Sequence, residues 1–377
     1  MENLELQHLF TPGKIGNVEI KNRIIRSATW TGTATAEGYV TDKLIKFYNK
    51  LAEGGIGLII SGYIAVEPAG AATPYMACWF DDSYTSGQKR LVKSVHEYSD
   101  VKIAAQIAHT GNNLMKLEYE PVGPSAVWNR RVKKDCRELT LTEIEEISKK
   151  FVDVGIKAYE SGYDMVQIHG AHQYLLSDFV SPLANKRTDD YGGSTEKRCK
   201  ILVDIYNQIR DSVGKGFPIF IKLNTRDYCE GGLTLEEAKN IAKILIDTGY
   251  DAIEPSSGIV DFKFTGKKTY AAVTFNSEED ENYFIPNVNA LKPVMKDRPI
   301  ILMGGVRNPV TADNILKDDI ADFIALSRPL IREPDLPNRW ISGDVSPAHC
   351  INCNGCMGAS FKGGTYCVQL EKLEKEP

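Results

Sequence analysis

Short runs of Ile, Val, Leu and Phe recur along the chain, each preceded by an amphipathic stretch and closed by a glycine or a small polar residue. The segments LAEGGIGLIISG, AYESGYDMVQIHG, LIDTGYDAIEPSSG and KDDIADFIALSR share one grammar: a helical end, an acidic or glycine turn, an apolar run and a polar stop. Between them lie NRIIRSA, VKIAAQIAH, FPIFIKLNT and RPIILMGG, which bring the expected buried strands to eight. Runs that are apolar throughout, without alternation, fit a parallel sheet covered on both faces. Thr142 followed by Glu145, and Thr234 followed by Glu237, precede apolar periodicities and read as capping boxes that start helices. Alternating strands and helices leave a doubly wound sheet or a closed barrel. Eight consecutive units without a GxGxxG turn favour an α/β fold built as a single (β/α)8 TIM barrel.

The regular alternation breaks twice, at about 112–138 and about 259–285, insertions long enough to form walls or lids over a site. The barrel is expected to occupy residues 1–342, leaving 343–377 as a short Cys-rich C-terminal extension, too small to fold alone without a metal. The chain has 377 residues, 42% hydrophobic and 25% charged, with a formal charge of −5, which excludes disorder and argues against a nucleic-acid partner. The opening MENLELQHLF lacks the basic-then-apolar pattern of a leader, and no apolar run reaches membrane-spanning length. A cytoplasmic protein without membrane association is expected. Of eight cysteines, Cys78, Cys136, Cys199 and Cys229 are scattered, while Cys350, Cys353, Cys356 and Cys367 cluster as C-x2-C-x2-C-x10-C. Clustered thiols in a reducing compartment point to a metal or cluster site, with iron–sulfur and zinc both open.

A barrel places its chemistry at the C-terminal ends of its strands. Thr29, Trp30, Tyr63, Gln106, His109, His169, His172, Lys222, Arg226, Ser256, Ser257, Arg307, Ser327 and Arg328 all follow or close apolar runs there. The richest segment is Ile168-His169-Gly170-Ala171-His172-Gln173-Tyr174. Two imidazoles at this spacing can donate to one carbonyl oxygen or anion, and the neighbouring phenol can deliver a proton. A zincin site would need His residues four apart on a helix with a Glu beside the first, a pattern absent here. Gly304-Gly305 and Ser327-Arg328 close the seventh and eighth runs, where barrels commonly bind phosphate. The polar stretch 179–194 reads as a buttressing loop.

Together these residues resemble the old yellow enzyme family of FMN-dependent ene-reductases (NADH:flavin oxidoreductases), in the branch of 2,4-dienoyl-CoA reductase and trimethylamine dehydrogenase. The resemblance spans the whole chain. It is carried most specifically by HGAHQYLLSDFVSPLANKRTDDYGGSTEKR, with support from LFTPGKIGNVEIKNRIIRSA, GGIGLIISGY, IAAQIAHTG and GGVR…ALSRP. It implies FMN across the barrel mouth, with Ala28, Thr29 and Tyr63 near the isoalloxazine, Gln106 on its pyrimidine edge and Lys222 near N1 and C2=O. Gly304, Gly305, Ser327 and Arg328 would hold the phosphate. His169 and His172 would bind the substrate oxygen, Trp30 would shape the substrate pocket and Tyr174 would be the proton donor. The implied reaction passes hydride from flavin N5 to the C=C bond of an α,β-unsaturated carbonyl, enoate or enone. Amine oxidation of the trimethylamine dehydrogenase type and a pure electron-transfer flavoprotein are the alternatives. Cys350, Cys353, Cys356 and Cys367 match the branch's [4Fe-4S] ligands, with zinc as the alternative, and imply an anaerobic host. Electrons would come from NAD(P)H or a donor protein, and a homo-oligomer is in keeping with the family. Three positions depart from the pattern: Gln173 stands for a usual Gly, Lys222 for a usual Arg, and Trp30 for Cys, Thr or His.

Overall fold

The computed structural model describes residues 6–115, 118–129, 132–258 and 280–375. All eight apolar runs form strands: β1 (Ile24–Arg26), β2 (Leu58–Ile60), β3 (Lys102–Ala108), β4 (Met165–Gly170), β5 (Ile219–Asn224), β6 (Ile253–Ser256), β7 (Ile301–Met303) and β8 (Phe323–Leu326). Every neighbouring pair is parallel, β1 pairs with both β2 and β8, and a parallel bridge between Ile253 and Ile300 closes the barrel between β6 and β7. The α/β barrel expected from the sequence is the fold observed.

The eight helices that follow the strands are α1 (Asp42–Glu53), α2 (Thr85–His96), α3 (Leu141–Glu160), α4 (Thr195–Val213), α5 (Leu235–Thr248), α6 (Ile285–Leu291), α7 (Pro309–Lys317) and α8 (Leu336–Ile341). Their apolar faces are buried against the outside of the barrel in one continuous cluster. A second cluster contains Ile25, Leu58, Ala104, Met165, Phe220, Ile301 and Phe323, packed with Ile15 and Ile20 of the hairpin Gly13–Ile15/Val18–Ile20. Each Ile, Leu, Met or Phe side chain among them, fully buried, contributes about 1.5–3 kcal/mol.

The Thr234–Glu237 capping box is present, but the one starting α3 is not the expected Thr142–Glu145 pair. The cap is Thr140, whose hydroxyl accepts from the Glu143 N–H at 3.3 Å while Glu143 accepts from the Thr140 N–H at 2.8 Å. Both Thr-x-x-Glu matches exist two residues apart. The earlier one wins because Arg137 holds Glu143 at 2.8 Å and Leu141 already begins the helix.

In the first insertion, Val122–Gly123 pairs with Arg137–Glu138 and Trp128–Asn129 with Lys134–Asp135. Most of the second insertion, 259–279, lies outside the described residues. The extension beyond α8 carries two short helices, Gly355–Ser360 and Val368–Lys375, and docks on the loop after β1. The Thr365 N–H donates to the Thr31 carbonyl at 2.8 Å, and Phe361 meets Trp30 edge-on at 4.6 Å between ring centroids. Gly32, at φ +63°, is required there, because a Cβ would collide with the Ser360 carbonyl. Among the described residues no helix is long and apolar enough to cross a membrane.

Thr140→Ala should cost about 1 kcal/mol of stability, whereas Thr142→Ala should cost little. Urea denaturation of the two variants checks the assignment, and the reverse order would restore Thr142 as the cap.

Candidate functional site

A cavity with about 1070 Å³ of empty space opens at the C-terminal ends of the strands. Ala28, Thr29 and Trp30 reach it from the end of β1, Tyr63 from the end of β2, and His172 and Lys222 from β4 and β5. Gly304 and Gly305 follow β7 and line it, as do Ser327 and Arg328 after β8. Thr29 and Ser327 join their hydroxyls at 2.6 Å, tying the two ends of this rim together. Gly304 and Gly305 have φ of +103° and +80°, and Tyr283 packs so closely on both that neither tolerates a Cβ. Tyr283 also lines the cavity, a contribution the sequence pattern gave no way of assigning.

Three expected site residues lie buried behind this wall: Gln106, His169 and Tyr174. His169 is tilted against Tyr174 with ring centroids 4.7 Å apart and meets His172 edge-on at 5.3 Å. Tyr63 closes the group, 5.6 Å from Tyr174 and 6.3 Å from His169 between centroids. The expected trio is therefore one cluster. Its backbone is unusual, since His172 and Gln173 have φ of +65° and +55°, in the left-handed region. A left-handed residue other than glycine costs about 1–2 kcal/mol.

Burial holds the His169 imidazole well below the ordinary range, assisted by His172 and Lys222. Burial, then Lys222, pushes His172 down to about 3. Both rings are therefore neutral donors near pH 7. His172 Nε2 lies 2.7 Å from the Ser256 hydroxyl, while the buried His169 Nδ1 has no hydrogen-bond partner among the described residues. The Trp30 indole N–H is likewise buried and unpartnered beside the cavity. Such orphaned donors are costly unless a ligand answers them.

Beneath the cavity runs a chain of buried polar groups. Lys222 Nζ donates to Glu254 Oε1 and to the Ser27 hydroxyl, each at 2.8 Å. Ser27 donates to the same Glu254 oxygen at 2.6 Å, and Gln167 Nε2 donates to Glu254 Oε2 at 2.7 Å. Gln106 Nε2 in turn donates to Gln167 Oε1 at 2.7 Å. Glu254 and Gln167 were missed in the sequence, although a glutamate inside the apolar run DAIEPSS is itself a signal.

Other polar strand ends have structural partners. His109 Nδ1 accepts from the Gly111 N–H at 3.0 Å and its Nε2 sits 2.6 Å from Glu67, fixing the exit of β3. Arg226 lies over the Tyr228 ring at 5.1 Å, Arg307 faces Glu281 at 3.5 Å, and Ser257 bonds Thr225 at 2.9 Å.

Cys350, Cys353, Cys356 and Cys367 all line one smaller cavity of about 310 Å³. Its loop turns at Asn352 and Asn354, with φ of +54° and +58°, and at Gly363 and Gly364, with φ of +99° and +134°, whereas Gly355 and Gly358 are helical. Arg332 Nη1 lies 3.9 Å from Cys367 Sγ, and Gln369 Nε2 lies 3.6 Å from Cys353 Sγ. Among the described residues no three His, Cys, Asp or Glu side chains are gathered as a single metal ion requires. Arg328 donates to the Asn352 carbonyl at 3.2 Å and to Asn354 Oδ1 at 2.8 Å, so it and Cys356 stand in the wall between the two cavities.

The model of the NADH:flavin oxidoreductase / NADH oxidase family matches residues 8–344. The chain belongs to that family. It is 36% identical over 357 residues to the NADH oxidase of Thermoanaerobacter brockii, covering 93% of this chain and 54% of that protein. It is 31% identical over 377 residues to the cinnamate reductase of Clostridium sporogenes, covering 93% of this chain and 55% of that one. The solved old yellow enzyme homologue of Zymomonas mobilis superposes with a TM-score of 0.73 at 26% identity, covering 89% of this chain and 92% of that one. The chain thus spans about half the length of the two curated relatives.

With His pKa values depressed in the folded state, the unfolded chain takes up more protons below its ordinary pKa of about 6.5, so stability falls as the pH drops below that value. His172→Gln should flatten the fall between pH 6.5 and 4 by about one proton, read as the slope of unfolding free energy against pH. An unchanged slope would mean that His172 titrates normally in the fold.

Proposed function

We propose that this chain is an FMN-dependent oxidoreductase that reduces the C=C bond of an activated alkene, an α,β-unsaturated carbonyl, enoate or enone. The observation that carries this reading is the cluster of His169, His172 and Tyr174, whose His172 lines the cavity together with Lys222. The residues suit the cofactor: the orphaned Trp30 nitrogen, the side-chain-free backbone at Gly304-Gly305 and the Arg328 guanidinium offer donors to a polar, phosphate-bearing ligand. Ala28, Thr29, Tyr63, Gln106 and Lys222 would hold its ring system, and Gly304, Gly305, Ser327 and Arg328 its phosphate. Bound FMN would supply the hydride, its two electrons drawn from NAD(P)H or from a donor protein.

His169 and His172, held neutral by burial, donate hydrogen bonds to the substrate's carbonyl or carboxylate oxygen. Those bonds strengthen as negative charge gathers on that oxygen, which lowers the barrier. Tyr174 delivers the proton to the α-carbon. Trp30, backed by Phe361, lines the cavity together with Met357, Ser360 and Thr365 of the extension, so the extension contributes to its shape. The cinnamate reductase relative, at 31% identity, favours conjugated acids among such substrates.

The four cysteines lining the smaller cavity suit a [4Fe-4S] cluster. Thiolate ligands spread around a cluster face rather than close on one ion, and Arg332 and Gln369 direct donors at two of the sulfurs. Zinc on the same cysteines would need all four sulfurs about 2.3 Å from a single centre.

An absorbance spectrum of anaerobically purified protein, with iron, sulfide and zinc analysis, is expected to give flavin bands with iron and sulfide in about equal amounts. Colourless protein would remove the flavin reading, and zinc without sulfide the cluster. Tyr174→Phe should slow alkene reduction at least tenfold while leaving flavin reduction intact, and equal rates for both half-reactions would remove Tyr174 as proton donor. His172→Ala should weaken binding of phenolic ligands, followed by their charge-transfer band.

A further inference from the structure

Glu254 is fully buried in the middle of the barrel, in direct contact with Lys222 and one amide away from Gln106, two residues expected at the flavin. Both of its oxygens are engaged: Oε1 accepts from Lys222 and Ser27, and Oε2 accepts from Gln167. We propose that Glu254 is the positioning residue that sets the flavin's reduction potential, by compensating the Lys222 ammonium and fixing the direction of the Gln167–Gln106 amide chain. This rests on the reading of the large cavity as the FMN site.

The compensation follows from distance. An ammonium alone beside the pyrimidine edge stabilises the negative charge that reduction places on a flavin. Here the Glu254 carboxylate lies 2.8 Å from that ammonium with both groups buried, so the field at the cavity is that of a dipole rather than of a free cation. Lys222 keeps its direction as well. Of its three donors, Ser27 and Glu254 take two, leaving one for the cavity that Lys222 lines.

The amide chain is a matter of polarity. A carboxylate can only accept, so Gln167 must offer it Nε2 and turn Oε1 toward Gln106. Gln106 must then spend its Nε2 on Gln167, which leaves Gln106 Oε1 as the acceptor for a ligand N–H. A neutral amide at 254 would remove this rule, since it can present either a donor or an acceptor.

The test is the midpoint potential of the bound flavin at pH 6, with the dissociation constant of a simple phenol, in the wild type, Glu254→Gln, Glu254→Asp and the pair Glu254→Gln/Lys222→Met. Glu254→Gln should raise the potential, by about 30 mV for each tenfold gain in relative affinity for the two-electron-reduced flavin. It should also tighten the phenol, which binds as an anion. Glu254→Asp keeps the charge and should restore most of the wild-type potential, and the double variant should lose the rise because no uncompensated cation remains. If Glu254→Gln does not fold, the aspartate and double variants still decide, since removing both charges must place the potential at or below that of the aspartate variant. Flavin-loaded Glu254→Gln with unchanged potential and unchanged phenol affinity would overturn the proposal and leave the FMN reading standing. A wild-type protein that binds no FMN would overturn both.

Discussion

A carboxylate and an ammonium buried together in the middle of a closed barrel constrain everything above them. Glu254 and Lys222 are 0% and 2% exposed, and an isolated charge in that position would cost several kcal/mol. They persist because Ser27 and Gln167 satisfy the carboxylate's remaining lone pairs from β1 and β4, so the pair links four of the eight strands. Truncating one partner would cost about 3–5 kcal/mol, because the other charge would remain buried and uncompensated. Specificity, more than stability, is what such a pair gives: it fixes which strand faces which, and with it the registry of the rim where the cavity opens.

Above that layer the barrel's direction organises the chemistry. All strands run parallel, so their C-terminal ends meet at one mouth, and residues far apart in sequence become neighbours. Thr29 and Ser327, 298 positions apart, share a hydrogen bond, and His172 reaches Ser256 across two strand ends. The strained backbone at His172 and Gln173 belongs to this rim too. Two successive left-handed residues are held only where surrounding packing determines them, and here they turn His172 back toward His169 and the mouth.

Much of this was legible in the sequence because it depends on local rules. Continuous apolar runs announce buried parallel strands, and polar residues at their ends announce the site, so all eight strands and the His169–His172–Tyr174 cluster could be placed without coordinates. Capping proved less legible. Thr140 and Thr142 offer equivalent local patterns, and only the Arg137–Glu143 pair, a tertiary feature, separates them. The Glu254–Gln167–Gln106 chain was hidden for a similar reason: each residue looks ordinary in its own strand, and their connection appears only when β3, β4 and β6 are brought side by side. The turns of the cysteine loop were legible in part, since Gly363 and Gly364 take positive φ as glycine allows, while Asn352 and Asn354 adopt left-handed conformations that their residue type does not announce.

The extension is best understood as part of the wall of the site rather than as an appendage. Its Ser360, Phe361 and Thr365 close on Gly32, Trp30 and Thr31, and its Cys356 and Asn354 border both cavities. Arg26, buried beneath this junction and pushed down to about 10 by that burial, donates to the Ser327 carbonyl at 2.5 Å and lies 5.6 Å from the Phe47 ring. Arg328 reaches the cysteine loop from the opposite side. Of the two guanidiniums, Arg26 holds the end of the eighth strand from within the barrel, while Arg328 alone bonds the cysteine loop. A change that loosens the cysteine loop must therefore alter the donors that Arg328 presents to the larger cavity, because the same guanidinium serves both sides. Arg328, Ile331, Asn354 and Cys356 line both cavities and form the wall they share.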